Sequence, residues 1–218
     1  MNSHSVSVFE SDGASASVVS GLGAKSKALA AINASFFDKD RLPVEFVKDD
    51  GKIVCSRPAV PGSRANGMFR IKDKKGRKVD ILTVRDSMST FQAADGWREA
   101  LLSGPVLMED GEIVDYSENA SQSFTSRRHP RSLIGYTADG WIYFIVVDGR
   151  FKGKAEGMSI FELQTLCQAL GLYEAINFDG GGSSTLWTKE NGVVNHPCDN
   201  KTYDHAGERI VPNAIIVK

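Results

Sequence analysis

The chain is short of cysteine, of net charge and of long apolar runs, and each shortage excludes something. Its three cysteines, Cys55, Cys167 and Cys198, lie far apart without CxxC spacing, which argues against zinc and thiol-redox motifs. Cys167 falls in a helical pattern and reads as a buried free thiol, while Cys55 and Cys198 are compatible with one bridge in an oxidising compartment. A formal net charge of −1 gives no global field towards nucleic acid or an anionic membrane. No run approaches the ~18 apolar residues of a membrane span. The opening residues, MNSHSVSVFESDG, show neither the basic nor the hydrophobic part of a signal peptide. A Walker loop, a GxGxxG helix opening and a GxSxG nucleophile elbow are missing as well.

What is present suits one folded domain. The 218 residues are 41% hydrophobic and 24% charged, enough for a substantial core. The chain is organised around YEAINFDGGGSSTLW, residues 173–187. An apolar, β-prone run delivers Asp179 and stops at Gly180, Gly181 and Gly182, after which Ser183, Ser184 and Thr185 lead back into an apolar pattern. Three glycines without Cβ atoms permit a small nest of backbone N–H groups able to hold an anion. The plainer alternative is a hairpin turn.

Along the chain, SVSVF (5–9) predicts a first strand, Ala28–Asn33 a buried strand, and Val44–Lys48 with Lys52–Cys55 a hairpin through Asp50-Gly51. RPAVPGSRANG (57–67) reads as a loop; Met68–Lys72 and Val79–Val84 read as strands joined by a solvated lysine-rich tip. Trp97–Leu102 predicts a short helix, Val106–Met108 and Ile113–Tyr116 a hairpin, and residues 117–130 a loop. Ser132–Thr137 and Trp141–Val147 predict strands, with WIYFIVV, the most apolar stretch, placed centrally. Residues 158–170 predict a helix, with Ser159 and Glu162 at capping-box spacing and Gly171 as the stop. A strand over 173–178, a hairpin of Leu186–Thr188 with Val193–Val194, a loop from Asn195 to Gly207 and a strand over Asn213–Lys218 complete the reading. The expectation is a single α+β domain with a mixed, mainly antiparallel sheet and few helices, residues 28–218 forming its body and 1–27 an N-terminal segment of it.

Polar residues recur where apolar strands end: Asn33, Asp148, Arg150 and Asp179. Such positions join a rigid scaffold to solvent-facing loops and are natural places for a site. Each has an ordinary alternative: Asp148-Gly149 is a turn dipeptide, and Asn33 is suited to satisfying a neighbouring backbone group. Arg131, at the lip of a strand, has the geometry for bidentate recognition of phosphate, whereas Arg127 and Arg128 read as surface charges. His129, His196 and His205 are too scattered to define a metal site. A carboxylate beside an anion nest points to a phosphorylated or carboxylated ligand.

The ordered blocks AINASFF, SGPVLMEDG, HPRSLIGYTADG, VVDGR, GMSIFEL, INFDGGGSSTLW, NHPCDN and ERIVPNAIIV resemble the phosphodiester glycosidase family, from about Ala28 to Val217. The resemblance implies hydrolysis of a sugar-1-phosphate diester, such as one of N-acetylglucosamine, without cofactor or metal. It further implies a sugar-phosphate small molecule or a cell-surface glycan as partner, and a secreted or periplasmic setting. By position it implies catalytic roles for Asp179, Asp148 and Arg131. It implies binding roles for Asn33, Arg150, Gly180, Gly181, Gly182, Ser183 and Asn195. Family members often carry a glycine pair where this chain has Ala34 and Ser35, a departure expected to narrow the pocket or change its ligand. Two other functions stand beside this one: a carbohydrate-binding module without turnover, suggested by the Ala34-Ser35 departure alone, and a phosphodiesterase whose metal is held by Asp179, Asp148 and a histidine.

Overall fold

The structure is a computed structural model that describes residues 4–10, 16–115 and 122–218. Among these residues, three five-stranded antiparallel sheets and four α-helices form one mainly β domain. The first sheet runs β1 (Val6–Glu10), β15 (Asn213–Val217), β2 (Ala30–Asn33), β13 (Leu186–Thr188), β14 (Gly192–Val193). The second runs β4 (Lys52–Cys55), β3 (Val47–Asp49), β7 (Glu99–Ser103), β5 (Gly67–Ile71), β6 (Val79–Thr83). The third runs β11 (Ile142–Val147), β10 (Arg131–Thr137), β12 (Leu172–Asn177), β8 (Val106–Glu109), β9 (Glu112–Ile113).

Successive side chains of a strand point to opposite faces, and that alternation builds the molecule. Ile32, Ile215, Phe69, Leu101, Ile134 and Ile176 face inward from all three sheets into one central core. Their neighbours face outward into satellite cores. Ala31, Ala214 and Ile216 meet Val19 and Leu22 of α1 (Val19–Lys25). Met68, Ala100 and Leu102 meet Ala93 and Ala94 of α2 (Ser87–Ala94). Leu133 and Ala175 meet Ile160, Leu163 and Cys167 of α4 (Ile160–Ala169). Each large side chain so buried contributes about 1.5–3 kcal/mol. The remaining helix, α3 (Gln122–Ser126), lies in the segment expected as loop; the expected strand end at Tyr116 and residues 117–121 fall outside the described residues.

Several expectations are corrected. Trp97–Leu102 is not a helix: Glu99–Ser103 is a strand buried on both faces, and an apolar run of that length has no periodicity to separate the two. WIYFIVV is not central: among the described residues β11 is an edge strand, paired only with β10. It is apolar because Ile142, Phe144 and Val146 face the central core while Ile145 and Val147 face α4's side. Helices α1 and α2 were not legible. The small residues of α1 have a packing cause, since a Cβ on Gly23 would collide with the Trp187 ring. The capping box of α4 forms as expected, Ser159 and Glu162 satisfying each other's backbone N–H. All three cysteines are free thiols, so Cys55 and Cys198 are not bridged. Burial pushes the Cys167 thiol up to about 12.

Candidate active site

The glycine loop is pinned where the first and third sheets meet. Phe178 N–H donates to Ser132 O at 2.8 Å, Asp179 N–H to Ala34 O at 3.0 Å, and Gly181 N–H to Pro130 O at 2.9 Å. Beneath the loop lies Asn33, with no exposed surface. Its Oδ1 accepts from Ser132 Oγ at 2.7 Å and Thr185 N–H at 3.1 Å, and its Nδ2 donates to Asp179 O at 2.6 Å. Asn33 therefore ties β2, β10 and the glycine loop together and faces framework rather than ligand.

Asp179 opens into a cavity of ≈ 270 Å³. Larger hollows exist, such as a groove of ≈ 520 Å³ beside Tyr136 and Tyr173, but the convergent charges gather in the smaller one. Arg64, Arg131, Arg150 and Arg209 line it with His129, Asn177 and the aromatic rings of Phe36 and Phe124. Of the residues singled out in the sequence, Arg131, Arg150, Asp179 and Gly180–Gly182 are brought together here. Asn33, Asp148, Ser183 and Asn195 are not among the lining residues.

The expected nest of three amides is only partly free, because the Gly181 N–H is committed to Pro130. What the glycines permit is close approach. A Cβ on Gly180 would lie 2.7 Å from Pro130 O, and one on Gly181 would lie 2.8 Å from Arg150 Nη2. At Gly182 it would collide with Arg209 and Asp199. Gly181 also has φ +65°, a conformation that L side chains rarely adopt. Arg150 itself sits at φ 66°, an uncommon state for a residue with a side chain. The loop thus draws guanidinium groups in towards one carboxylate.

Burial raises the Asp179 carboxyl above its ordinary range, opposed by the Ser183 hydroxyl, by the Arg64 and Arg209 charges and by the Gly180 amide. Ser183 Oγ is close enough to act in this way, yet it is buried and, among the described residues, makes no hydrogen bond of normal geometry. Arg131 is 2% exposed, and burial lowers its guanidinium to about 10. Its charge is solvated by protein instead: Nε donates to Met158 O at 2.9 Å, and Nη2 to Phe124 O at 2.9 Å and Arg127 O at 3.1 Å. Burial and then the Arg131, Arg150 and Arg127 charges lower His129, favouring the neutral imidazole.

Asp148 is engaged elsewhere. Its Oδ1 accepts from Asn195 Nδ2 at 3.0 Å and His196 N–H at 2.9 Å, and its Oδ2 lies 2.9 Å from His196 Nδ1. His196 stacks on Tyr203 with centroids 3.9 Å apart. Asn195 also donates to Ser184 O at 3.0 Å and accepts from Leu186 N–H at 2.9 Å. This lattice fixes the loop after the glycines, so Asp148 and Asn195 support the site from outside. Among the described residues no three His, Cys, Asp or Glu side chains converge as metal ligands, so Asp179, Asp148 and a histidine form no such trio. The Ala34-Ser35 departure does not narrow the pocket. Ala34 is packed in the central core, and Ser35 Oγ accepts from Asn213 Nδ2 at 2.7 Å.

A family model described as phosphodiester glycosidase matches residues 26–218. The chain belongs to the phosphodiester glycosidase family. The fold agrees with solved structures. The zebrafish N-acetylglucosamine-1-phosphodiester alpha-N-acetylglucosaminidase catalytic domain, auto-inhibited by its pro-peptide, superposes with TM-score 0.77 at 21% identity, over 98% of this chain and 72% of that one. A putative exported protein from Burkholderia pseudomallei gives TM-score 0.70 at 17% identity, over 98% and 71% of the two chains. A hypothetical protein from Synechocystis gives 0.67 at 17% identity, over 99% and 57%. Among curated proteins, the SPbeta prophage-derived uncharacterized protein YomE of Bacillus subtilis is 39% identical over 57 residues. That match covers 26% of this chain and 9% of that protein's length.

Family blocks located Asp179, Arg131 and Arg150, but Arg64, Arg209 and Asn177 were not read as site residues. Arg64 stands in the 57–67 loop and Arg209 in the ERIVPNAIIV block, whose resemblance assigns Arg209 no role, and no motif or period marks a loop arginine for a cavity. Asn177 had one signal, its place two residues before Asp179 at the end of the strand that delivers it.

Proposed function

We propose that the protein hydrolyses a sugar-1-phosphate diester to a free sugar and a phosphomonoester. The observation that carries this reading is one desolvated carboxyl, Asp179, at the wall of a cavity lined by four arginines and two aromatic rings. The bond broken is the one from the anomeric carbon to the phosphate oxygen. Its electron pair leaves on the phosphomonoester, a far better leaving group than an alkoxide, so a protonating acid matters less than in an ordinary glycosidase. What lowers the barrier is fixed positive charge where phosphate charge develops, and a carboxylate facing the oxocarbenium-like carbon. Asp179 supplies that carboxylate, either bonding to the carbon to give an ester that water then hydrolyses to free sugar, or deprotonating the water that attacks the carbon directly. Phe36 and Phe124 form the aromatic part of the cavity wall, with the Arg64 guanidinium over Phe36 and that of Arg131 over Phe124.

Asp148, with its oxygens bonded to Asn195 and His196, positions the neighbouring loop rather than serving as a second catalytic carboxylate. A binding module without turnover drew on the Ala34-Ser35 departure, which lies outside the cavity lining and lends it nothing. The test is a panel of sugar-1-phosphodiesters and UDP-N-acetylglucosamine, scored for reducing sugar and for which bond breaks. The configuration of the first-released sugar separates direct attack by Asp179 from attack by water.

A further inference from the structure

The cavity's arginines differ in what they have left to give. Arg131 already donates through Nε and Nη2 to the backbone carbonyls of Met158, Phe124 and Arg127. Arg209 donates through both Nε and Nη2 to Asp199 Oδ1. Arg64 is different. Among the described residues it has no hydrogen bond and no ion pair; its guanidinium carbon lies 4.1 Å from the Phe36 ring centroid and 5.7 Å from that of Phe124. A cation held by aromatic faces keeps its N–H donors for a partner in the plane of the fork.

We propose that Arg64 is the principal phosphate-recognising residue of this cavity, gripping two oxygens of the diester while Phe36 holds its guanidinium in place. The proposal rests on the reading above that the ligand is a sugar phosphodiester. Its placement is built into the backbone. Asn66 Oδ1 accepts from Val106 N–H at 3.1 Å, and Asn66 O accepts from Val84 N–H at 2.8 Å, fixing the end of the 57–67 loop. A Cβ on Gly104 would collide with Arg64 O, so the loop runs hard against the strand connection that Asn177 Nδ2 holds through Gly104 O at 2.9 Å. Arg64 lines the same cavity as Asp179, and its charge opposes the effect of burial on that carboxyl. Arg150, the other cavity arginine without a bonded partner among the described residues, lies against Gly181 and adds charge from the glycine loop. Arg131, by contrast, is a framework cation whose donors hold backbone.

The test is calorimetric titration of a hexose 1-phosphate into the wild-type chain and into Arg64→Ala, Arg64→Lys and Arg128→Ala variants. Arg64 has an exposed side chain, so truncation leaves the core intact. Loss of a bidentate guanidinium–phosphate contact is expected to weaken binding by about 30- to 100-fold in Arg64→Ala. Lysine keeps the charge without the fork and is expected to recover only part of it. Arg128, exposed and paired with Glu162, removes the same charge outside the cavity and should leave affinity unchanged. Wild-type affinity in Arg64→Ala, an equal loss in Arg128→Ala, or no binding to the wild-type chain would each overturn the proposal. Binding lost in Arg64→Ala alongside a wild type that cleaves no diester would sink the hydrolytic reading and leave Arg64 standing. Cleavage by wild type with full affinity in Arg64→Ala would do the reverse.

Discussion

Replacing Asn33 by alanine tests whether the site is held from beneath. The substitution removes three hydrogen bonds at once, from Ser132 Oγ, from Thr185 N–H and to Asp179 O, at 2.7, 3.1 and 2.6 Å. Asn33 and Ser132 have no exposed surface, so the stranded groups cannot turn to water without opening the sheet junction. Each buried group left unsatisfied costs about 1–3 kcal/mol. The serine hydroxyl can rotate towards another acceptor, which leaves the Thr185 amide and the Asp179 carbonyl as the main losses, about 3–5 kcal/mol in all. For a domain of this size that lowers the thermal midpoint by roughly 10 °C. Urea unfolding followed by intrinsic fluorescence would give the free energy from the midpoint at constant slope. Turnover, measured where the variant is still fully folded, should fall as well, because the Asp179 backbone loses its anchor. A loss below about 1 kcal/mol would refute the framework role. So would a variant of full stability that had lost only ligand affinity, which would make Asn33 a ligand contact.

Glu99, 4% exposed, accepts a hydrogen bond from Val8 N–H, and burial lifts its carboxyl from 4.5 to about 7. A raised carboxyl favours folding while protonated: its contribution is whole below the unfolded value of 4.5 and is lost as pH rises through about 7. Glu99→Gln should therefore stabilise the protein by up to about 3 kcal/mol at pH 8 and by almost nothing near pH 4.5, read by urea unfolding at the two pH values. Equal effects at both would refute it. Gly181→Ala forces a side chain into φ +65° and against Arg150, so it should cost about 1–2 kcal/mol in stability and also depress turnover. Gly192→Ala, at φ +71° in open space, should show the first effect without the second, and matched turnover losses in the two variants would argue against a steric role for the loop.

Much of the scaffold was legible because alternating side chains carry their own instructions. Ala31 against Ile32, Met68 against Phe69, and Leu133 against Ile134 each send one residue to a satellite core and the next to the centre. The helix at Ile160–Ala169 was legible through its stripe and its Ser159–Glu162 box. Where both faces of an element are apolar, as in Glu99–Ser103, periodicity is silent and only tertiary packing decides between strand and helix. The site divides along the same line. Asp179 and its glycines could be found because a run of three glycines is conspicuous locally. Asn33 and Asp148 stand at strand ends as conspicuously as Asp179 does, and only their partners show that they brace the site rather than line it. Arg64 was out of reach, since a loop arginine becomes significant only when it is seen to lie over Phe36 with its donors unpaired among the described residues.

The most direct test of the central claim incubates the folded protein with defined sugar-1-phosphodiesters and follows both products. Free reducing sugar and phosphomonoester are expected in equal amounts from the wild-type chain. From a well-folded Asp179→Asn variant neither is expected. Undiminished release by that variant, or a phosphate–aglycone cut that leaves sugar 1-phosphate instead of free sugar, would contradict the claim.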